Sequence, residues 1–270
     1  MRILTLARDL RRRRARERLG LFVAEGVRAV EAALDAGVAA RGALAGPALG
    51  ATDRGRALRA RLDAAAVPVV DVDERDFVSA ADTEAPQGVL LVAERPAAPA
   101  ALADHPALAA AARDAAPGRE LRLLVLDAVQ DPGNVGTLVR AAAGLGAAGV
   151  VALPGTADLW GAKVVRAGMG AHFVLPTLAG TTDGLAEFLR AFDVPLWGAD
   201  GAGRPVAAAA ADAPARLAVA LGNEGAGLTA PVRALAAGLV AVPSGGRVES
   251  FNVAVAGSIL LYELRPGALR

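Results

Sequence analysis

The chain has 270 residues, a formal net charge of +1 and 54% hydrophobic residues, which allows one large or two small domains with a real core. It contains no cysteine, excluding disulfides, thiolate catalysis and cysteine-ligated zinc or iron–sulfur centres. Only His105 and His172 could serve a histidine-rich metal site, no apolar run reaches the ~20 residues of a membrane helix, and no apolar signal core follows the N-terminus, so a cytoplasmic protein with no metal and no membrane span is expected.

Residues 1–30 hold the strong charge asymmetry. Arg2, Arg8, Arg11, Arg12, Arg13, Arg14, Arg16, Arg18 and Arg28 face only Asp9, Glu17 and Glu25. The run Arg11–Arg14 spreads around an early helix as a cationic collar, suited to phosphate-backbone contact; a solvated terminal helix is the equal alternative. Elsewhere the arginines reflect composition, Lys163 being the only lysine.

Phe22–Gly26 reads as a strand and turn, Val27–Ala36 as a helix with Val27, Val30 and Leu34 at helical spacing, and Val38–Leu44 as a strand. Asp53–Ala65 is expected to be helical, Val67–Val72 a strand, Glu74–Ser79 a short helix and Gly88–Ala93 a strand. Residues 1–95 thus form a small α/β domain. Proline and alanine punctuate 96–119, read as a linker with a loose central helix. A second domain is expected over 120–270.

Leu121–Leu126 is a buried strand ending in Asp127-Ala128-Val129-Gln130-Asp131-Pro132-Gly133-Asn134, followed by a helix over Thr137–Leu145 that carries Arg140. Gly144, Gly146 and Gly149 match the dinucleotide-binding string, but they close a helix and precede the strand Val150–Leu153. That is the wrong order for the fingerprint, and a helix end plus turn is expected there instead of a nicotinamide site. Ala162–Gly170 reads as a helix, His172–Leu175 as a strand, Thr182–Phe192 as a helix opened by Thr182 and Asp183, and Pro195–Ala199 as a strand before a turn at Gly201–Arg204. Ala207–Ala213 is a weak helix.

The C-terminal stretch carries the densest chemistry. Leu217–Leu221 is a short apolar strand stopped by Gly222-Asn223-Glu224-Gly225, with a helix-like segment from Leu228. Leu239–Val242 repeats the pattern, and Pro243 begins a glycine-rich turn leading to Ser250, Phe251 and Asn252, where Asn252 can cap the apolar helix Val253–Leu264. Polar groups at the carboxyl ends of strands lie where open α/β sheets hold ligands.

Three segments then stand in order: Asp131-Pro132-Gly133-Asn134-Val135-Gly136-Thr137-x-x-Arg140, Leu221-Gly222-Asn223-Glu224-Gly225-x-Gly227-Leu228, and Val242-Pro243-x7-Phe251-Asn252-Val253-Ala254-Val255-Ala256. Their order, spacing and residue types resemble the motifs of the SpoU-type RNA ribose 2′-O-methyltransferases of the SPOUT class. The resemblance covers residues 121–264, and Lys163–His172 looks like the family's intervening stretch. Residues 1–95 resemble the substrate-binding domain, related to a ribosomal-protein fold, that often precedes it.

The resemblance implies a C-terminal α/β domain with a deep trefoil knot, a homodimer, and S-adenosylmethionine held in the knotted loops at Leu221, Gly222, Asn223, Val242, Pro243 and Phe251. Family members commonly have leucine where Phe251 stands. It implies catalytic roles for Arg140, Asn134, Glu224, Ser250 and Asn252; RNA contact by Arg11, Arg12, Arg13, Arg14, Arg16 and Arg18 is the expectation from the N-terminal charge asymmetry. Arg140 corresponds to the motif-one arginine, proposed to contact phosphate and assist deprotonation of the ribose hydroxyl. Glu224 has the alternative role of bracing Arg140 by an ion pair. The expected substrate is structured RNA, 23S rRNA first and tRNA second. A non-catalytic RNA-binding or ribosome-assembly protein on the same fold is the competing reading.

Overall fold

The structure, a computed structural model, describes residues 2–114, 120–246 and 250–267. It divides into two compact units, one comprising Met1–Ala97 with Trp160–Val174, the other Ala98–Leu159 with Leu175–Arg270. No helix among the described residues is long and apolar enough to cross a membrane.

The first unit begins with α1 (Ile3–Asp9) and α2 (Arg13–Leu19), followed by β1 (Leu21–Glu25), α3 (Val27–Asp35) and β2 (Ala40–Ala45). Then come α4 (Asp53–Ala64), β3 (Val69–Asp71), α5 (Glu74–Ala80) and β4 (Val89–Glu94). The strands form a sheet in the order β1-β4-β2-β3, antiparallel except for the β2–β3 pair. Its core gathers Leu6, Leu10, Val23, Leu44, Phe77 and Leu90. Gly26, at a φ of 95°, turns the chain from β1 straight into α3, a conformation that disfavours any side chain.

The second unit opens with α6 (Pro106–Arg113), then β5 (Leu121–Leu126), α7 (Pro132–Gly144) and β6 (Gly149–Ala152). Next in the chain is α8 (Ala162–Gly168), which belongs to the first unit. The second unit resumes with β7 (Thr177–Ala179), α9 (Thr182–Ala191), β8 (Leu196–Pro205), α10 (Val206–Ala209), β9 (Arg216–Leu221), α11 (Ala230–Leu235), β10 (Gly238–Ala241) and α12 (Val253–Glu263). Its sheet runs β10-β8-β9-β5-β6-β7 with every pair parallel. Such a sheet is covered on both faces, which explains the unbroken apolar strands β5 and β9. Order reverses between β5 and β9, making the carboxyl ends of that pair the topological switch point.

Four sequence expectations change. Within the expected linker 96–119, the described residues 96–114 are not loose: Leu102, Leu108 and Ala112, from a 3-10 turn and α6, enter the core with Leu123, Val151 and Phe188, their apolar spacing outweighing the prolines. The expected linker's last part, 115–119, lies outside the described residues. Domain two does not own all of 120–270. Trp160 and Phe173 pack on Phe22 with ring centres 4.8 and 5.9 Å apart, so Trp160–Val174 groups with the first unit. The same packing replaces the expected strand at His172–Leu175 by a 3-10 turn, Ala171–Phe173, and the strand forms later as β7. Finally, the expected turn at Gly201–Arg204 lies inside β8, whose register against β10 jumps from Gly198 to Arg204.

Candidate active site

Asp131 caps α7 by accepting from the Asn134 N–H at 2.8 Å, with Pro132 at the first helical position. This cap starts the helix five residues before the expected Thr137 and fixes Asn134 in its first turn. At the end of β9, Gly222 allows a backbone approach closed to any other residue: a Cβ there would lie 2.2 Å from the Gly227 carbonyl carbon. Asn223 and Gly227 exchange backbone hydrogen bonds of 2.9 Å across this turn, and Asn223 Oδ1 accepts from Gly225 and Ala226. At the third loop Asn252 caps α12, its Oδ1 accepting from Ala254 at 2.9 Å and Val255 at 3.3 Å, as its sequence position suggests.

These caps bring three side chains together. Asn252 Nδ2 donates to Asn134 Oδ1 at 3.0 Å, and Asn134 Nδ2 donates to Glu224 Oε1 at 3.2 Å. Glu224 also accepts from the backbone N–H groups of Gln130 and Asp131, both at 3.2 Å. Both ends of the Asn134 amide are thereby engaged, so its orientation is set by the network. Burial alone would raise the Glu224 pKa, but hydrogen bonds from its own backbone, Asn134, Gln130 and Asp131 outweigh it and hold the carboxyl below its ordinary range.

Beside this network lies a cavity of about 570 Å³, within the usual range for small-ligand sites. Leu221, Gly222, Asn223, Val242, Pro243 and Phe251 all line it, as do Glu224, Ser250 and Asn252. Asn134 joins through its hydrogen bonds, whereas Arg140 does not line the cavity. Arg140 is exposed on α7 and makes no ion pair among the described residues, so Glu224 does not brace it.

Sequence reading missed three supports. Asp127 follows β5 directly, is buried, and accepts from the Thr229 N–H at 2.6 Å, tying the first loop to the second. A lone carboxylate closing an apolar strand was the available signal. The β8 excursion adds Ala199, Asp200 and Gly201 to the cavity wall. There the Ala202 N–H and the Arg233 guanidinium hold the Asp200 carboxyl below its ordinary range. Arg122, read as part of a plain apolar strand, is buried and donates to the carbonyls of Leu264 and Ala215, anchoring the end of α12.

The N-terminal arginines separate. Arg16 is buried, donating to the Leu10 and Arg11 carbonyls at 2.7 and 2.9 Å, so it holds the α1–α2 corner and is not part of an exposed collar. Arg11 donates to the Ser79 carbonyl, Arg12 pairs with Asp9 and Arg13 with Glu17. Arg14 and Arg18, four residues apart on exposed helix surface, have no such partner among the described residues.

A parallel α/β sheet whose polar loops converge at its switch point defines a ligand-binding α/β domain. Residues 122–262 match the SpoU rRNA Methylase family, and the chain belongs to that family. Residues 4–91 match the MRM3-like substrate binding domain. Among relatives, the 23S rRNA (guanosine(2553)-2′-O)-methyltransferase RlmP of Bacillus subtilis is 34% identical over 195 residues, covering 72% of this chain and 71% of that protein. The AdoMet-bound rRNA methyltransferase from Sinorhizobium meliloti superposes with a TM-score of 0.77 at 28% identity, over 97% of this chain and 94% of that one. The SpoU methyltransferase AviRb from Streptomyces viridochromogenes, in complex with AdoMet, gives a TM-score of 0.81 at 26% identity, over 98% and 97%.

Proposed function

We propose that the protein transfers a methyl group from S-adenosylmethionine to a ribose 2′-hydroxyl of 23S rRNA in the cytoplasm. The observation that carries this reading is the Glu224–Asn134–Asn252 network, built from all three motif loops, at a cavity lined by apolar and backbone groups.

The residues present fit the cofactor. Leu221, Val242 and Phe251 offer an apolar wall for an adenine ring, and Gly222, whose Cβ position is filled by the Gly227 backbone, keeps the turn that bounds the cavity tight. The chemistry supplied by the bound cofactor is an electrophilic sulfonium methyl. What the chain must do is hold the sugar in line and lower the cost of freeing its proton. Asn134, fixed at both ends, presents a set hydrogen-bonding direction to a ribose, with Ser250 beside it on the cavity wall. Glu224, bound by neutral donors, keeps a full negative charge at the site. Arg140 supplies an uncompensated cation for an RNA phosphate and for the charge developing on the ribose oxygen. Its assigned part is that of a positioning and charge-stabilising cation, not of the base.

In this reading the C-terminal segment is threaded as a trefoil knot and two copies form a dimer. Supporting the threading, α12 packs so closely on its neighbours that a Cβ at Gly257 would lie 2.4 Å from both Leu138 and Leu221 side chains. Supporting the dimer, α12 exposes Val255 and Tyr262 at 48% and 52%, an apolar stripe suited to a second copy.

The test is transfer of labelled methyl from S-adenosylmethionine to 23S rRNA transcript by the purified protein. An alkali-resistant dinucleotide at one position is expected. Base methylation without a ribose product, or no cofactor binding by calorimetry, would overturn the reading and favour a non-catalytic RNA-binding role.

A further inference from the structure

The N-terminal unit holds a second cavity, of about 580 Å³, between the β1–α3 turn, the start of α4, the 83–87 loop and α8. Its wall includes Val27, Ala48, Ala85 and Met169. Two of its guanidinium groups, those of Arg54 and Arg166, are already engaged along their edges. Arg54 meets Glu31 in a fork, with Nε at 3.0 Å from Oε1 and Nη2 at 2.5 Å from Oε2. Arg166 donates to Glu25 Oε2 at 3.3 Å, and Glu25, 2% exposed, is itself fixed by the backbone N–H groups of Asp82 and Thr83. Pairing answers the charge of each guanidinium and restrains its plane, while the Arg54 and Arg166 side chains, on the cavity wall, stay 54% and 32% exposed. Such groups are weak phosphate anchors and good stacking platforms.

Gln87 adds a reading group. Its Oε1 accepts from the Val27 N–H at 2.9 Å, over a Gly26 whose Cβ would stand 3.1 Å from that oxygen. Nε2 has no protein partner among the described residues. Arg28, exposed at the rim, has no ion pair among them either.

We propose that this cavity receives one unstacked nucleobase of the RNA, laid against the guanidinium faces of Arg54 and Arg166, with Gln87 Nε2 donating to an acceptor on the base edge and Arg28 on the adjoining phosphate. The proposal rests on the reading of RNA as substrate and deepens it. Phosphate contact alone requires no cavity, and sequence-specific RNA recognition works on splayed bases stacked on planar side chains. The target region is therefore a loop or bulge with at least one base available outside a helix.

The experiment uses the full chain with 23S rRNA transcript, reading affinity by filter binding and contact sites by ultraviolet crosslinking with mass spectrometry. Ala85→Trp fills the cavity from an exposed loop position, and Gln87→Ala removes the edge donor. Each is expected to weaken RNA binding by about tenfold, the loss of one base contact, with cofactor affinity within about twofold. Arg28→Ala should flatten the salt dependence by a log–log slope of about 0.7. Wild-type adducts should fall on the 83–87 loop or around Met169 and vanish in Ala85→Trp. Unchanged affinity in both variants, or adducts confined to α1 and α2, overturns the proposal. If a lowered unfolding midpoint shows Ala85→Trp to be misfolded, Gln87→Ala decides alone. Wild-type binding without methyl transfer would sink the catalytic reading and leave the cavity standing; transfer that is indifferent to the variants would do the reverse.

Discussion

Glu25 and Glu224 both stand at the end of a buried strand and precede a glycine, yet the fold treats them oppositely. Glu25 is 2% exposed and meets a guanidinium, so its charge is spent on holding α8 to β1. Glu224 is exposed and meets only amide N–H groups, so its charge is oriented but not cancelled. The same dipeptide meets a cation in one unit and only neutral donors in the other. The difference lies in whether a cation is supplied, which local sequence does not reveal.

The largest effect expected from breaking this contrast is at Arg140, a cation that the second unit leaves without an ion pair among the described residues. Arg140→Ala should lower methyl transfer by about 10³-fold while cofactor affinity and unfolding midpoint stay near wild type, since the side chain holds nothing. Equal loss of cofactor binding would break the division of roles. Next is Glu25→Gln, expected to cost about 2–3 kcal/mol in denaturant unfolding, because Arg166 is left facing an amide but, at 32% exposure, is partly resolvated. Glu224→Gln should change neutral-pH stability by under about 1 kcal/mol and transfer far more. The pH dependence follows from its lowered folded-state pKa. Above the unfolded value of about 4.3 its hydrogen bonds contribute fully, and they are lost as pH falls through the lower folded value, so the stability gap between wild type and Glu224→Gln should close in acid. The smallest effects separate the arginines. Arg14→Ala should reduce the salt slope of RNA binding by about 0.7 without loss of stability. Arg16→Ala should cost about 1–2 kcal/mol with the slope unchanged, because its donors end on backbone carbonyls.

The strands and loops of the second unit were readable because their signals are local. Leu217–Leu221 is apolar and glycine-stopped, and Asn252 stands before an apolar helix. The residues assigned to the cofactor line one cavity. What sequence could not supply was long-range. Nothing near Trp160 indicates that its ring meets Phe22, or that Glu224 finds Gln130 and Asp131 in place of Arg140. Arg16 looked like its neighbours because burial of one arginine in a run of six leaves no mark on composition.

The return of Trp160–Val174 to the first unit has a consequence for synthesis. A nascent chain carries Phe22 and Glu25 out of the ribosome long before their partners Phe173 and Arg166 exist. At translation speeds of about 5–20 residues per second, the N-terminal half waits several seconds with an aromatic face unsatisfied. Its completion is therefore timed by the emergence of the other half, and a polypeptide cut at residue 97 would carry that waiting state as its permanent condition.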